Sequence, residues 1–275
     1  MRPPGRRRRG PGLSSLLAAL TFLTVFPANV IPGAKQWAPS QQELSGSRAF
    51  FPAVGLLIGL MLVGLEWGCS EVFPVYLSAA VLLVSLIVVN RGLHLDGLMD
   101  SCDGLFGGFT QERSLEIMRD SQVGAFGVAG GAGVLLLKYG ALVSLLGFAG
   151  HDPKWSLLLF PMLSRWAMVV TLSSFPYVRQ QGLGSPFHQG GKNWSTATAA
   201  VSAGAAAVLL GGIAGAGMLA GATVIAWLLG WATVSKLGGM TGDTYGAVNE
   251  VVGALALAAA VALLPHGWLE TLPQF

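Results

Sequence analysis

Eight apolar runs divide this chain, at about 13–26, 50–66, 72–89, 125–149, 155–173, 197–214, 217–237 and 249–265. Most reach the roughly 17–25 residues that a helix needs to cross a bilayer. Backbone in hydrocarbon must satisfy its own hydrogen bonds, so runs of this length dictate helices. The pattern predicts an all-α polytopic membrane protein of about seven transmembrane helices. The first run is short and ends at "FPANVIP", where Pro27 and Pro32 stop a helix. It is expected to lie in the interface or to re-enter. "GGIAGAG" splits the long Ala/Gly/Leu stretch 197–241 into two helices, and the 39 glycines suit close helix contacts. Trp67, Trp155 and Trp194 stand near run ends, as interfacial anchors do. Residues 13–275 read as one membrane-embedded domain behind a basic tail, 1–12, with no linker or internal repeat.

The net charge of +3 belongs to that tail, since "MRPPGRRRRG" carries five arginines. A nucleic-acid arm is the rival reading of such a run. Beside membrane segments, a cytoplasmic charge cluster that sets topology accounts for it better, so no nucleic-acid partner is expected. The run also resembles a secretory or twin-arginine signal, but no A-x-A cleavage site follows it. If 13–26 does not span, 50–66 leads out of the cytoplasm and 72–89 returns. The stretches 90–124, 174–196 and 238–248 then face the cytoplasm, and loop 150–154 and the C-terminus face outward. Cys69 and Cys102 make neither a disulfide framework nor a metal-ligand spacing.

The chemistry gathers in "VVNRGLHLDGLMDSCDGLFGGFTQERSLEIMRDSQVGAFG", where six of the chain's thirteen acidic residues fall between Asp96 and Asp120. On a helix over 94–106, Asp96, Asp100 and Asp103 stand at i, i+4 and i+7, in one narrow stripe. A "GGFT" turn follows, with Thr110 as N-cap of a second helix. There Glu112, Glu116 and Asp120 recur on one side, and the two acidic stripes are expected to face each other. Like charges so close repel, and a divalent cation relieves the conflict. Oxygen-only ligands favour Mg²⁺ or Mn²⁺ over zinc. The bland alternative is a solvated acidic face, and Glu112 and Glu116 also fit an amphipathic helix with ion pairs among Glu116, Arg119 and Asp120. Asp96, Asp100 and Asp103 are the expected metal ligands, with Asp120 close behind, and these four with His94 are the candidate catalytic residues. Such a cluster at a membrane edge points to metal-assisted phosphoryl or phosphatidyl transfer.

Other residues fit that chemistry. His94 either prepares the attacking hydroxyl or is a neutral structural histidine. Arg119 and Arg165 are candidate phosphate contacts; Arg165, inside an apolar run, needs a phosphate or carboxylate partner there. Lys138 is expected to snorkel out of its span. "GGMTGDTYGAVNE" (238–250) supplies Asp243 for substrate or metal and reads as a glycine-rich turn before a helix. Loop 176–195 carries Arg179, His188 and Lys192 and is long enough to cover a nucleotide, with Lys192 as its substrate contact.

Two resemblances sharpen this. "DSCDG" (Asp100, Asp103, Gly104) resembles the opening of the CDP-alcohol phosphatidyltransferase signature, which continues with Ala-Arg where this chain reads "LFGG". A longer match lies elsewhere. "HLDGLMDSCDGLFGG" followed by "ERSLEIMRDSQVGAFG" resembles the hallmark of cobalamin synthase, the adenosylcobinamide-GDP ribazoletransferases. "LAALTFLTVFP" and "FFPAVGLLIGL" are similar to that family's N-terminal segments, "LSRW" to its central arginine, and "LGGMTGDTYGAVNE" to its C-terminal signature. The resemblance covers most of the chain in order. It implies a Mg²⁺-dependent transferase of the cytoplasmic (inner) membrane. There α-ribazole, or its 5′-phosphate, attacks the cobinamide-bound phosphate of adenosylcobinamide-GDP through a ribose hydroxyl, and GMP leaves. It does not set subunit number, and a homo-oligomer is compatible with it. An ion transporter is the rival of another class, but that reading needs acids spread through several spans.

Overall fold

The computed structural model describes residues 12–26, 39–148, 153–179, 184–188 and 192–264. The arginine-rich tail and residues 180–183 and 189–191 of loop 176–195 lie outside the described residues. In chain order the helices are α1 (Leu13–Leu23), α2 (Gln41–Ser47), α3 (Phe51–Ser70), α4 (Val75–Val89), α5 (Leu93–Gly107) and α6 (Gln111–Ile117). Then come α7 (Ala125–Gly147), α8 (Lys154–Ser174), α9 (Ser185–His188), α10 (Lys192–Leu237) and α11 (Gly242–Leu263). Among the described residues there is no β-sheet, only one isolated bridge between Tyr177 and Met240. The chain is an all-α, multi-pass membrane protein.

Among the described residues, five helices are long and apolar enough to cross a bilayer, namely the segment Gln41–Ser70, α7, α8, α10 and α11, and the bent pair α4–α5 makes six. Helix α1 has 11 residues and spans roughly 16 Å, about half of a hydrocarbon core. It does not cross. Within α10, Gly212 leaves helical geometry at φ 55°, ψ −136°, dividing it into 192–211 and 213–237. The two halves fold tightly back there, since a Cβ on Gly215 would fall 2.0 Å from the Ala207 carbonyl.

Helix α8 is the axis of the bundle. In its most apolar stretch 94% of residues are buried by protein, against 28% for α7 and α10. It also has the lowest mean hydropathy of the five, 1.4. A helix face turned to lipid must be apolar, whereas a face wrapped by protein can carry polar groups if they find partners. Ser156, Ser164, Arg165 and Thr171 are the ones α8 buries. Helix α3 reaches α8 through Gly55 and Gly59, a G-x-x-x-G pair. A Cβ at Gly55 would lie 2.5 Å from the Pro161 carbonyl, and one at Gly59 2.7 Å from Leu158 Cα. Arg48, fully buried before α3, donates to the Ser45 carbonyl and to Ser195 Oγ at the start of α10. That ties several helix ends together on the side of the bundle where the acids lie.

Candidate active site

The acidic helix owes its direction to a break. Asn90 closes α4, Arg91 and Gly92 both take left-handed backbone (φ 56° and 66°), and α5 leaves at 86° to α4. A non-glycine residue in that region is strained unless its surroundings hold it. Here the Arg91 guanidinium donates to the Thr21 and Phe22 carbonyls at the end of α1, both at 3.2 Å. From the other side Arg165 Nη2 donates to Asn90 Oδ1 at 2.7 Å. The bend turns α5 across the end of the bundle, out of the spanning direction.

There α5 lies directly on the first turns of α11. A Cβ on Gly97 would sit 2.7 Å from the Asp243 carbonyl, and one on Gly246 3.0 Å from that of His94. The glycines of 242–246 are therefore helix residues that admit α5, which corrects the expected loop over 238–248. Thr241 caps α11 through a reciprocal bond with Thr244, so the helix starts earlier than its apolar run. The crossing brings Asp96, Asp100 and Asp103 of α5 beside Asp243. Burial, then Asp96, Asp243 and Asp103, push the Asp100 carboxyl up to about 6, while Arg179 pulls the other way.

Asp103 has a second task. Its two oxygens accept from Gly124 N (2.7 Å) and Gly127 N (2.8 Å), capping α7 from a different helix. A Cβ at Gly124 or Gly127 would fall 2.4 or 2.3 Å from that carboxylate. Replacing Gly127 by Ala is therefore expected to lower activity, though less than Asp103→Ala does, because both break the cap and the latter also removes a carboxylate from the cluster. Parallel turnover assays and unfolding midpoints check this, and a fully active Gly127→Ala enzyme would contradict it.

Arg179 completes the cluster. Pairing of 176–178 with residue 240 (Val178 N to Met240 O, 2.9 Å; Met240 N to Pro176 O, 2.8 Å) fixes its backbone beside α11. Its Nη1 lies 3.0 Å from Asp243 Oδ2. The sequence showed Arg179 only as part of a polar loop. Its partner lies 64 positions away, and nothing local marks the pairing.

The second acidic stripe does not face the first. Thr110 caps α6 as expected, accepting from Arg113 N. The face that α6 turns to α5 carries Ser114 and Met118, which pack on Gly104 and Gly108. Glu112, Glu116, Arg119 and Asp120 are exposed, and Glu116 pairs with Arg113 instead of Arg119. Asp120 Oδ1 accepts from Gln122 N. The close fit of α6 needs small residues at 104 and 108, and that decides which face turns inward.

Deeper in the bundle lies a polar layer that spacing did not reveal. Lys138 of α7 does not snorkel: it is 3% exposed and bonds to Glu250 of α11, itself 6% exposed, at 2.5 Å. Arg165 is 1% exposed and bonds to Asn90, Ser164 Oγ and the Pro161 carbonyl. His94, 2% exposed, has neither ring nitrogen hydrogen-bonded. Two positions from Asp96 on a helix, it points away from the acidic stripe. Lys192 opens α10, and its side chain lies outside the described residues.

A metal can be tested against this donor set. Among the described residues no three His, Cys, Asp or Glu side chains converge tightly enough to hold an ion by themselves. Mg²⁺ seldom asks for that, being held by one or two carboxylates, water and substrate phosphates. Crowded carboxylates with oxygen donors only fit that mode.

Comparison with known proteins gives the same direction. A family model described as cobalamin-5-phosphate synthase matches residues 15–261. The adenosylcobinamide-GDP ribazoletransferase of Roseiflexus sp. (strain RS-1) is 38% identical over 253 residues, covering 92% of this chain and 91% of the relative. That of Desulforamulus reducens is 41% identical over 244 residues, 87% of this chain and 92% of the relative. No solved structure matches the chain. With a match from the first helix to the last, this chain belongs to the cobalamin-5-phosphate synthase family.

Proposed function

We propose that the protein completes the nucleotide loop of cobalamin by moving the adenosylcobinamide-phosphate group from adenosylcobinamide-GDP to α-ribazole or its 5′-phosphate. The observation that carries this reading is the gathering of Asp96, Asp100, Asp103 and Asp243 around Asp100, with Arg179, at one end of a membrane bundle. Relatives named for this reaction support the choice of substrates.

In the step itself, a ribose hydroxyl oxygen bonds to the cobinamide-side phosphorus. The bridging P–O bond breaks, its electron pair leaves on GMP, and the hydroxyl proton passes to a carboxylate. Asp96 and Asp100, with the remaining lone pairs of Asp103, would hold Mg²⁺ against the donor's diphosphate. That ion would neutralise the charge building on the leaving phosphate. Asp243 takes the proton. Because Asp103 is anchored by two backbone N–H groups, the α5 stripe keeps its aim. The Lys/Arg distribution puts this end of the bundle at the cytoplasmic face of the cytoplasmic membrane.

Membranes containing the protein, given adenosylcobinamide-GDP, α-ribazole phosphate and Mg²⁺, are expected to yield the joined corrinoid and one GMP per turnover. Chromatography reads both. No corrinoid product from wild-type membranes would sink the assignment.

A further inference from the structure

Arg179 is only partly committed in this structure. One nitrogen, Nη1, faces Asp243 at 3.0 Å. Nη2 makes a long contact of 3.4 Å to the Met118 carbonyl, and Nε has no hydrogen-bond partner. Two of the three guanidinium nitrogens are thus weakly used or unused. The ion pair lies at the edge of the site, with side-chain exposures of 15% and 24%. The backbone on one side of it is pinned by the 176–178 pairing and on the other by the cap of α11. Only side-chain torsions need change for Arg179 to serve another partner.

A guanidinium fork matches phosphate oxygens in planar, two-pronged geometry. A diphosphate entering the carboxylate cluster meets strong repulsion, and Arg179 is the cation that the described contacts bring there. We propose that Arg179 has two partners in turn, Asp243 as seen here and the nucleotide-side phosphate of the donor when that is bound. This rests on the transferase reading above. The exchange couples two events. When the phosphate takes the guanidinium, the Asp243 carboxylate is released for the attacking hydroxyl's proton. Arg179 then stabilises the phosphate oxygen that departs with GMP. Asp243 therefore becomes available as a base only once a donor is in place.

The test compares Arg179→Gln and Arg179→Lys with wild type, in detergent and in membranes. Mn²⁺ binding without substrate is measured by calorimetry. Removing a cation from among carboxylates is expected to tighten Mn²⁺ binding roughly fivefold or more in Arg179→Gln. Meanwhile kcat/KM for the nucleotide donor is expected to fall about 10²-fold or more, with KM for the acceptor unchanged. Arg179→Lys keeps the charge, so it holds the wild-type Mn²⁺ affinity and recovers part of the donor kinetics. Weaker Mn²⁺ binding with equal losses toward donor and acceptor would make Arg179 a brace and overturn the proposal. Unchanged donor kinetics in Arg179→Gln would overturn it too. If the transferase reading itself is wrong, wild type makes no product, while the Mn²⁺ difference between the variants persists.

Discussion

Replacing Asp100 by Asn is expected to cut the transfer rate by about 10³-fold or more while leaving the fold intact or more stable. The two effects have opposite signs because one charge causes both. Asp100 stands between Asp96 and Asp103 on α5 and near Asp243 of α11, and each neighbour raises its proton affinity. A group whose folded pKa is raised above its unfolded value destabilises the fold as pH rises through that range, about 4 to 6 here. Asn keeps the shape and removes the repulsion, so the unfolding midpoint at neutral pH should stay level or rise. It also removes the oxygen charge that would hold the ion and the donor diphosphate, so turnover falls. Glu112→Gln is the control: it is exposed on α6 and should leave turnover within about twofold. Turnover of Asp100→Asn within tenfold of wild type would remove Asp100 from the chemistry. A lowered midpoint would instead assign it a structural role.

Run length and hydropathy made the spans legible, because hydrocarbon imposes one rule on every helix that crosses it. The i, i+4, i+7 stripe was legible for the same kind of reason, since helical spacing is local. What stayed hidden depended on partners far along the chain. The residues Asn90, Arg91 and Gly92 contain no proline, yet they bend the chain by 86°, held by carbonyls 69 and 70 positions away. The inward face of α6 was chosen by the fit of Ser114 and Met118 over Gly104 and Gly108. Charge pattern could not show this. The early start of α11 did have a signal, the Thr241-x-x-Thr244 cap, but four glycines nearby suggested a loop. Glycine serves both turns and close packing, and one sequence does not distinguish them. Lys138 looked able to snorkel because the carboxylate that holds it sits 112 positions away.

That hidden pairing supports the second large effect: Glu250→Leu is expected to cost about 3–5 kcal/mol of stability, whereas Lys138→Met costs much less. The asymmetry follows from counting buried charge. Lys138, Arg165 and Glu250 put two cations and one anion in the bundle core, all at most 6% exposed. Glu250 is the described carboxylate that serves both, bonding Lys138 and supporting Arg165 electrostatically. Removing it leaves two cations unneutralised in an apolar interior. Removing the Lys138 charge leaves Arg165 and Glu250 in balance, with a methionine stem of similar length filling the space. The double variant Lys138→Met/Glu250→Leu should fall between them, since Arg165 alone then lacks a counter-charge, although Asn90 and Ser164 still bind it. Unfolding midpoints in one detergent at fixed pH should therefore rank wild type and Lys138→Met highest, the double variant next and Glu250→Leu last. If Lys138→Met were as damaging as Glu250→Leu, the geometry of the pair would outweigh the charge count in holding α7 against α11. The polar layer would then act as a brace between helices, with charge balance secondary.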